Sequence, residues 1–319
     1  MTRPLLALAA VVAIAGCRAS SSSGNAGNPA DAWVPLDAPA TLGAGNGGGL
    51  LDELRFAVVG DTRPANLDDT AHYPTDIVGK IFTAVEAERP HPAFVVTTGD
   101  YMFAATTTRE QAPQLDLYLQ ARAAYHGIVY PALGNHECDG YTKSNCGFGN
   151  ATGMTTNYTT YLQRMVEPIG EHRPYFVERF AATDGSWSAK FVFIAANAWN
   201  ADQAAWLELA LSEPTTYTFV LRHEAHYSDT APGVTPSAAI LAKHPLTLLI
   251  VGHTHSYEHY PAYREIVVGN GGAPLTSGVN YGYVIVARSP DGQIGVTAYD
   301  YATRAIMDQF AVTATGVTP

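Results

Sequence analysis

Five apolar runs in this chain each stop at a short cluster of glycine, carboxylate, amide or imidazole residues. RFAVV runs into Gly60-Asp61, AFVVTT into Gly99-Asp100, and GIVYPAL into Gly134-Asn135-His136-Glu137. YTFVLR runs into His223, and LTLLIV into Gly252-His253-Thr254-His255. Short apolar runs without alternation read as strands buried on both faces, and such strands belong to sheets covered by helices. Helical segments lie between them. Ile77, Ile81 and Val85 repeat at helical spacing behind a cap at Thr75 or Asp76, and further helices are expected from about Gln111, over TTNYTTYLQRMVEPI and over ADQAAWLELALSE. The last third is richer in strands: REIVVGNGG, then GYVIVARS and QIGVTAYD joined at the hairpin signal Asp291-Gly292, then AIMDQFAV. This order defines an α/β layered fold. In open sheets of that class, sites lie beyond the carboxyl ends of the strands, where all five clusters fall.

The amino terminus bears on location. MTRPLLALAAVVAIAGC places Arg3 before an apolar run of 11 residues, Leu5 to Ala15. A membrane-spanning helix needs ~20, so the run reads as the core of an export signal. Ile14-Ala15-Gly16-Cys17 resembles a bacterial lipobox, which implies cleavage before Cys17 and lipidation of that residue. Three parts are expected: residues 1–16 as a lipoprotein signal peptide, 17–50 as the lipidated cysteine with a flexible linker, and 51–319 as the folded domain. The chain would then be exported and anchored to the cell envelope, on the periplasmic or outer surface. It would touch the membrane through its lipidated terminus only. Cys138 and Cys146 remain, close in sequence and in an oxidising compartment, and are expected to form a disulfide. Metal ligation by this pair is disfavoured because no CxxC spacing is present. The formal net charge of −11 lacks the basic footprint of a protein that binds a nucleic-acid duplex. An acidic protein that handles anions needs local positive charge, which bound metal ions can supply.

The clusters together offer Asp61, Asp100, Asn135, His136, His223, His253 and His255. Carboxylates, a carboxamide oxygen and neutral imidazoles suit Zn, Mn or Fe. His253 and His255 on an extended segment would point to one side. Two cations bridged by one carboxylate would form a hydrolytic centre. A zinc peptidase fits poorly, since no HExxH helix is present.

The order GD, GD, GNHE, H, GHxH resembles the calcineurin-like metallophosphoesterase family, and most of all its purple-acid-phosphatase-type branch. The likeness runs from Arg55 to about Gly272, and Ile266–Pro274 (IVVGNGGAP) resembles the branch's late glycine turn. It implies an α/β sandwich of two mixed β-sheets flanked by helices, with metals at one end. It implies two divalent or trivalent ions, Fe, Zn or Mn. Asp61 and His255 would hold the first, Asn135, His223 and His253 the second, and Asp100 would bridge them. The implied reaction is hydrolysis of a small phosphorylated substrate by a metal-bound hydroxide. His136 would stabilise the phosphate and protonate the leaving oxygen.

Two residues depart from the family pattern. Arg63 stands where many relatives have His or Gln, and Phe103 where the purple branch has Tyr. The first site is therefore expected to be the weaker and the purple colour absent, with Arg63 free to bind a phosphate oxygen. In the fourth cluster His223 is preferred over His226 as ligand. Glu137, Glu224 and His259 are candidates to support the ligands from behind, and Tyr141, Tyr257 and Tyr260 to wall the pocket. The alternative function is a non-catalytic or mononuclear surface lipoprotein of the same fold that binds phosphorylated or glycan ligands. His136 weighs against it, because a binder needs no leaving-group acid.

Overall fold

A computed structural model of the protein describes residues 48–228, 230–276 and 278–316. Cys17 and the expected signal peptide lie outside the described residues. Among the described residues, no helix is long and apolar enough to cross a membrane.

Strand alternation assigns each apolar run to two cores. β2 (Arg55–Val59) sends Phe56 and Val58 to one side and Ala57 and Val59 to the other. β3 (Phe94–Thr97), β7 (Tyr217–Arg222), β8 (Leu248–Val251) and β10 (Glu265–Val268) divide in the same way. Two mixed sheets result. One contains β2, β3 and β4 (Ile128–Pro131), mutually parallel, and continues through β11 (Gly282–Arg288), β12 (Ile294–Asp300) and β13 (Ile306–Val312), all antiparallel. The other runs β1 (Gly49–Leu51), β5 (Phe176–Ala182), β6 (Ser188–Ile194), β7, β8, β10 and β9 (Tyr257–Tyr260). Pairing starts at Gly49, which lies opposite Phe180 on the parallel strand β5. The hairpin expected at Asp291-Gly292 forms between β11 and β12, with Gly292 at φ 86°.

Helices cover both outer faces. α1 (Thr75–Glu86) packs on β11 and on α2 (Gln111–Arg122), and α4 (Ala201–Ser212) packs on β6 and on α5 (Val234–Leu241). α3 (Thr156–Tyr161) is shorter than its sequence pattern and continues as a π-turn over Leu162–Val166. Between the sheets lies a phenylalanine layer. Phe94 stacks on Phe180 at 4.5 Å and meets Phe191 edge-on at 5.1 Å. Glu178 faces the same side of β5 as Phe176 and Phe180, and is buried. Its Oε1 has no hydrogen-bond partner, and burial pushes its carboxyl up to about 9.

Cys138 and Cys146 are disulfide-bonded, with a Cα–Cα distance of 5.6 Å. Closing so short a loop stabilises by roughly 2–3 kcal/mol in the chain-entropy treatment. The bridge begins directly behind Gly134-Asn135-His136-Glu137 and holds the loop that follows it.

Candidate metal centre

The ligand-type side chains follow β2, β3 and β4 in one sheet and β7 and β8 in the other. They meet at the end of the sandwich where both sets of carboxyl termini emerge. The turns that aim them are costly. Asp61, Asp100 and His253 hold positive φ of 57°, 59° and 69°, a region that disfavours any residue with a Cβ. Gly99, at φ 107°, separates β3 from Asp100; a Cβ there would lie 2.7 Å from Gly134 N and 2.8 Å from His223 Nδ1. Only glycine lets the three loops approach so closely.

Buried hydrogen bonds lace the loops together. Asp61 N donates to Gly99 O at 3.2 Å, and the amides of Thr62 and Arg63 both donate to Asp100 O at 3.0 Å. The Glu137 carboxylate accepts from the amides of Asp100 and Tyr101 at 2.8 Å and of Gly134 at 3.0 Å. Burial and the nearby Asp100 push Glu137 up to about 7. It therefore supports the site as a backbone clamp between the second and third clusters.

One donor set gathers Asp100, Asn135, His223 and His253. His223 Nε2 lies 3.3 Å from Asp100 Oδ1 and 3.2 Å from His253 Nδ1, which is 3.1 Å from Asn135 Oδ1. Their orientations are fixed from behind. His223 Nδ1 is 2.7 Å from Thr98 O, which can only accept, so Nδ1 donates to it and Nε2 is the nitrogen turned toward Asp100 and His253. Asn135 Nδ2 donates to Gly140 O at 2.9 Å, which turns Oδ1 inward. Four atoms of ligand type thus converge on one place. Ligands of one tetrahedral cation at about 2.1 Å sit about 3.4 Å apart, so this set fits a metal ion.

The second donor set is Asp61, Asp100 and His255, whose ligand atoms lie within 4.8 Å of one another. His255 Nε2 is 3.9 Å from Asp61 Oδ1, and its Nδ1 faces Pro274 O at 2.7 Å. Arg63 enters this set. Its Nη2 is 3.3 Å from His255 Nε2 and its Nε is 3.6 Å from Asp100 Oδ2, while its guanidinium carbon lies 4.7 Å from the centre of the Phe103 ring.

The charges are strongly polarised. Burial drives the Asp61 carboxyl well above the usual range. At Asp100 burial pushes upward too, but His223, His136 and Arg63 outweigh it and hold the carboxyl well below. Burial alone would lower His223; contact with Asp100 raises it instead. His253 and His136 are lowered by burial, to about 4 and about 3. His136 packs edge-on against Phe103 at 4.5 Å, with Nε2 3.8 Å from Asp100 Oδ2 and Nδ1 buried without a hydrogen-bond partner.

His253 and His255 do not lie on an extended segment, because His253 takes a left-handed turn. The turn sends the two imidazoles into different donor sets. His226 turns away: Nδ1 pairs with Glu265 at 2.7 Å and the ring stacks on Tyr263. His259 stacks on Phe310 beside Asp308, Tyr257 donates to that same Asp308, and Tyr260 bonds Glu258. Tyr141 is exposed. Glu224 is buried next to His223 with both carboxylate oxygens unpartnered.

The sequence model of the family described as calcineurin-like phosphoesterase matches residues 54–257, more than half of the chain. No curated protein matches the chain. Among solved structures, the fold is similar to a purple acid phosphatase from seeds of yellow lupin, Lupinus luteus (TM-score 0.60, 16% identity, 82% of this chain and 54% of that one). This chain thus spans about half of the lupin enzyme. It is also similar to a dimetal phosphatase from Danio rerio (TM-score 0.56, 12% identity, 82% and 100%). A third neighbour is GAP50, the anchor in the inner membrane complex of Plasmodium (TM-score 0.55, 14% identity, 84% and 90%). At these identities the neighbours establish the fold, and the family match together with the two donor sets establishes the kinship: the chain belongs to the calcineurin-like phosphoesterase family.

Proposed function

We propose that this protein hydrolyses small phosphate esters in the manner of acid phosphatases, at a centre lined by Asp61, Asp100, Asn135, His223, His253 and His255. The observation that carries the reading is the position of Asp100, whose carboxylate belongs to both donor sets. When bound, metal ions lend Lewis-acid charge to the phosphoryl group and lower the pKa of an attacking water. The chain's own residues do the rest. Arg63 Nε is buried without a hydrogen-bond partner and can donate to a phosphate oxygen. His136 lies on the same side of Asp100. In the ligand-free site burial keeps its ring neutral; an arriving phosphate anion favours the protonated ring, which can then pass that proton to the leaving oxygen.

Hydrolysis of p-nitrophenyl phosphate and of its bis-ester, with Mn or Zn added and then removed by chelator, tests this reading. A metal-loaded protein inert toward both esters overturns it in favour of a binding role, and GAP50, a neighbour in fold, is described as an anchor. His136→Ala should lower kcat on alkyl phosphates about 10²-fold or more and on nitrophenyl phosphate far less, with metal content unchanged. Equal losses on both esters would limit His136 to charge stabilisation.

The lipobox-like Ile14-Ala15-Gly16-Cys17 supports export and anchoring through Cys17. Cells fed a labelled fatty acid should label the chain, and Cys17→Ala should abolish the label. Persistent labelling of that variant excludes Cys17 as the anchor.

A further inference from the structure

The Asp61, Asp100 and His255 set, as arranged here, does not fit a metal ion, because a cation already lies among its donors. Arg63 follows Asp61 by two residues, and its backbone amide is tied to Asp100 O at 3.0 Å, so its side chain starts inside the site. Its guanidinium is then held on three sides. Nη1 donates to Pro64 O at 3.1 Å, Nη2 lies 3.3 Å from His255 Nε2, and the central carbon lies over the Phe103 ring, 4.7 Å from its centre. The His255 contact has a defined sense. Nδ1 faces the acceptor Pro274 O at 2.7 Å and so carries the ring proton, which leaves Nε2 as an acceptor. A guanidinium has only donors. The lone pair that would bind a metal is therefore engaged by Arg63. Nε lies 3.6 Å from Asp100 Oδ2, beyond hydrogen-bond distance, so the guanidinium supplies positive charge beside the shared carboxylate without engaging that N–H.

Resting on the phosphoesterase reading, we propose that Arg63 replaces one of the two metal ions: the protein works with one resident ion, at Asp100, Asn135, His223 and His253, and a guanidinium standing where the second ion would be. Phe103 is the platform for that guanidinium. Cation–aromatic contact favours a charged group over the ring face, and Phe103 offers no oxygen to a metal. This arrangement keeps positive charge on both sides of Asp100 with a single metal. It also leaves the buried Nε–H of Arg63 free to bond a phosphate oxygen, which a bare ion would do by coordination.

Equilibrium dialysis against MnCl2 with elemental analysis, together with electron paramagnetic resonance, tests the proposal independently of turnover. The native protein should hold about one Mn per chain and show the six-line spectrum of an isolated ion. Arg63→His, which swaps the cation for an imidazole, should raise the content to about two per chain and give the broadened spectrum of a spin-coupled pair. Arg63→Ala should behave as Arg63→His does at higher Mn concentration, which keeps the test open if one variant misfolds. Two equally tight, spin-coupled ions in the native protein overturn the proposal, as does a content of one in both folded variants. Ester hydrolysis by the native protein holding one Mn supports the proposal and the phosphoesterase reading together. No hydrolysis at that same content sinks the phosphoesterase reading while leaving the stoichiometry standing.

Discussion

Asp100→Asn should cut ester hydrolysis on the order of 10³-fold and strip the protein of metal while leaving it folded. The substitution preserves size but removes the charge that both donor sets share. Asp100 Oδ1 faces His223 Nε2 at 3.3 Å and accepts the amide of His136 at 3.2 Å; Oδ2 faces Arg63 and His136. An amide can present only one acceptor oxygen to these two groups of partners. Whichever way it turns, an NH2 meets either a metal-facing lone pair or the donors of Arg63. Loss of a shared ligand should remove about 4 kcal/mol of transition-state stabilisation, a fall on the order of 10³-fold in kcat/KM. The backbone turn should survive, since Asn tolerates positive φ at least as well as Asp. Elemental analysis, kcat/KM on nitrophenyl phosphate and circular dichroism should be measured on the same preparation. A variant that retains metal and stays within about tenfold of the native rate removes Asp100 from its central role.

The second large effect concerns stability and pH. Glu178 lies among the phenylalanines between the sheets, and burial, aided by nearby Glu171, pushes its carboxyl up to about 9. Burial likewise pushes Glu171 up to about 7. A carboxyl raised in the folded state binds its proton more tightly there than in the unfolded chain. Its contribution is therefore fully present below the ordinary carboxylate range and is lost as pH rises toward the folded value. For Glu178 the window opens near 4.5 and closes near 9. Each pH unit within it costs up to about 1.4 kcal/mol, so several kcal/mol of stability should disappear between pH 5 and pH 9. Thermal melts of the chelator-treated protein should shift downward across that interval. Glu178→Gln keeps the shape but cannot ionise, so its melts should depend on pH much less. An unchanged pH slope in Glu178→Gln would show that some other group controls it.

Most of the fold and most of the centre could be read from the residues, and the gaps have identifiable causes. Apolar runs that end in Gly-Asp, Gly-Asn-His-Glu and Gly-His-Thr-His marked β2, β3, β4 and β8 directly, because buried parallel strands need no polar alternation. β5 escaped notice because Glu178 points inward and breaks the pattern its neighbours Phe176 and Phe180 would make. β9 was hidden because its Tyr257-Glu258-His259-Tyr260 is the polar edge of a sheet. α5 contains Pro236 and lacks a side-chain cap. At the centre, the donor residues were legible by type and order. The clamp formed by Glu137 was not, because it depends on three amides from two loops. Arg63 could be recognised as unable to ligate, but its place among Asp61, Asp100 and His255 depends on Phe103 and Pro274, residues far apart in sequence. His223 could be preferred over His226 only by its place in the family pattern, since both follow the same strand; the physical discriminator, the pairing of His226 with Glu265, depends on the fold.

Backbone energy at Asp61, Asp100 and His253 sets heat tolerance against turnover in any laboratory evolution of this protein. Each of the three holds a φ that glycine would adopt without penalty, and a side chain there costs on the order of 1–2 kcal/mol. A library selected for survival at high temperature alone would be drawn to glycine at these positions, and the same clones would lose the side chains that build the centre. Screens for robust variants should therefore hold these three codons constant and seek their gains elsewhere, for example at Glu178, where relief of an unpaired carboxyl takes nothing from the chemistry.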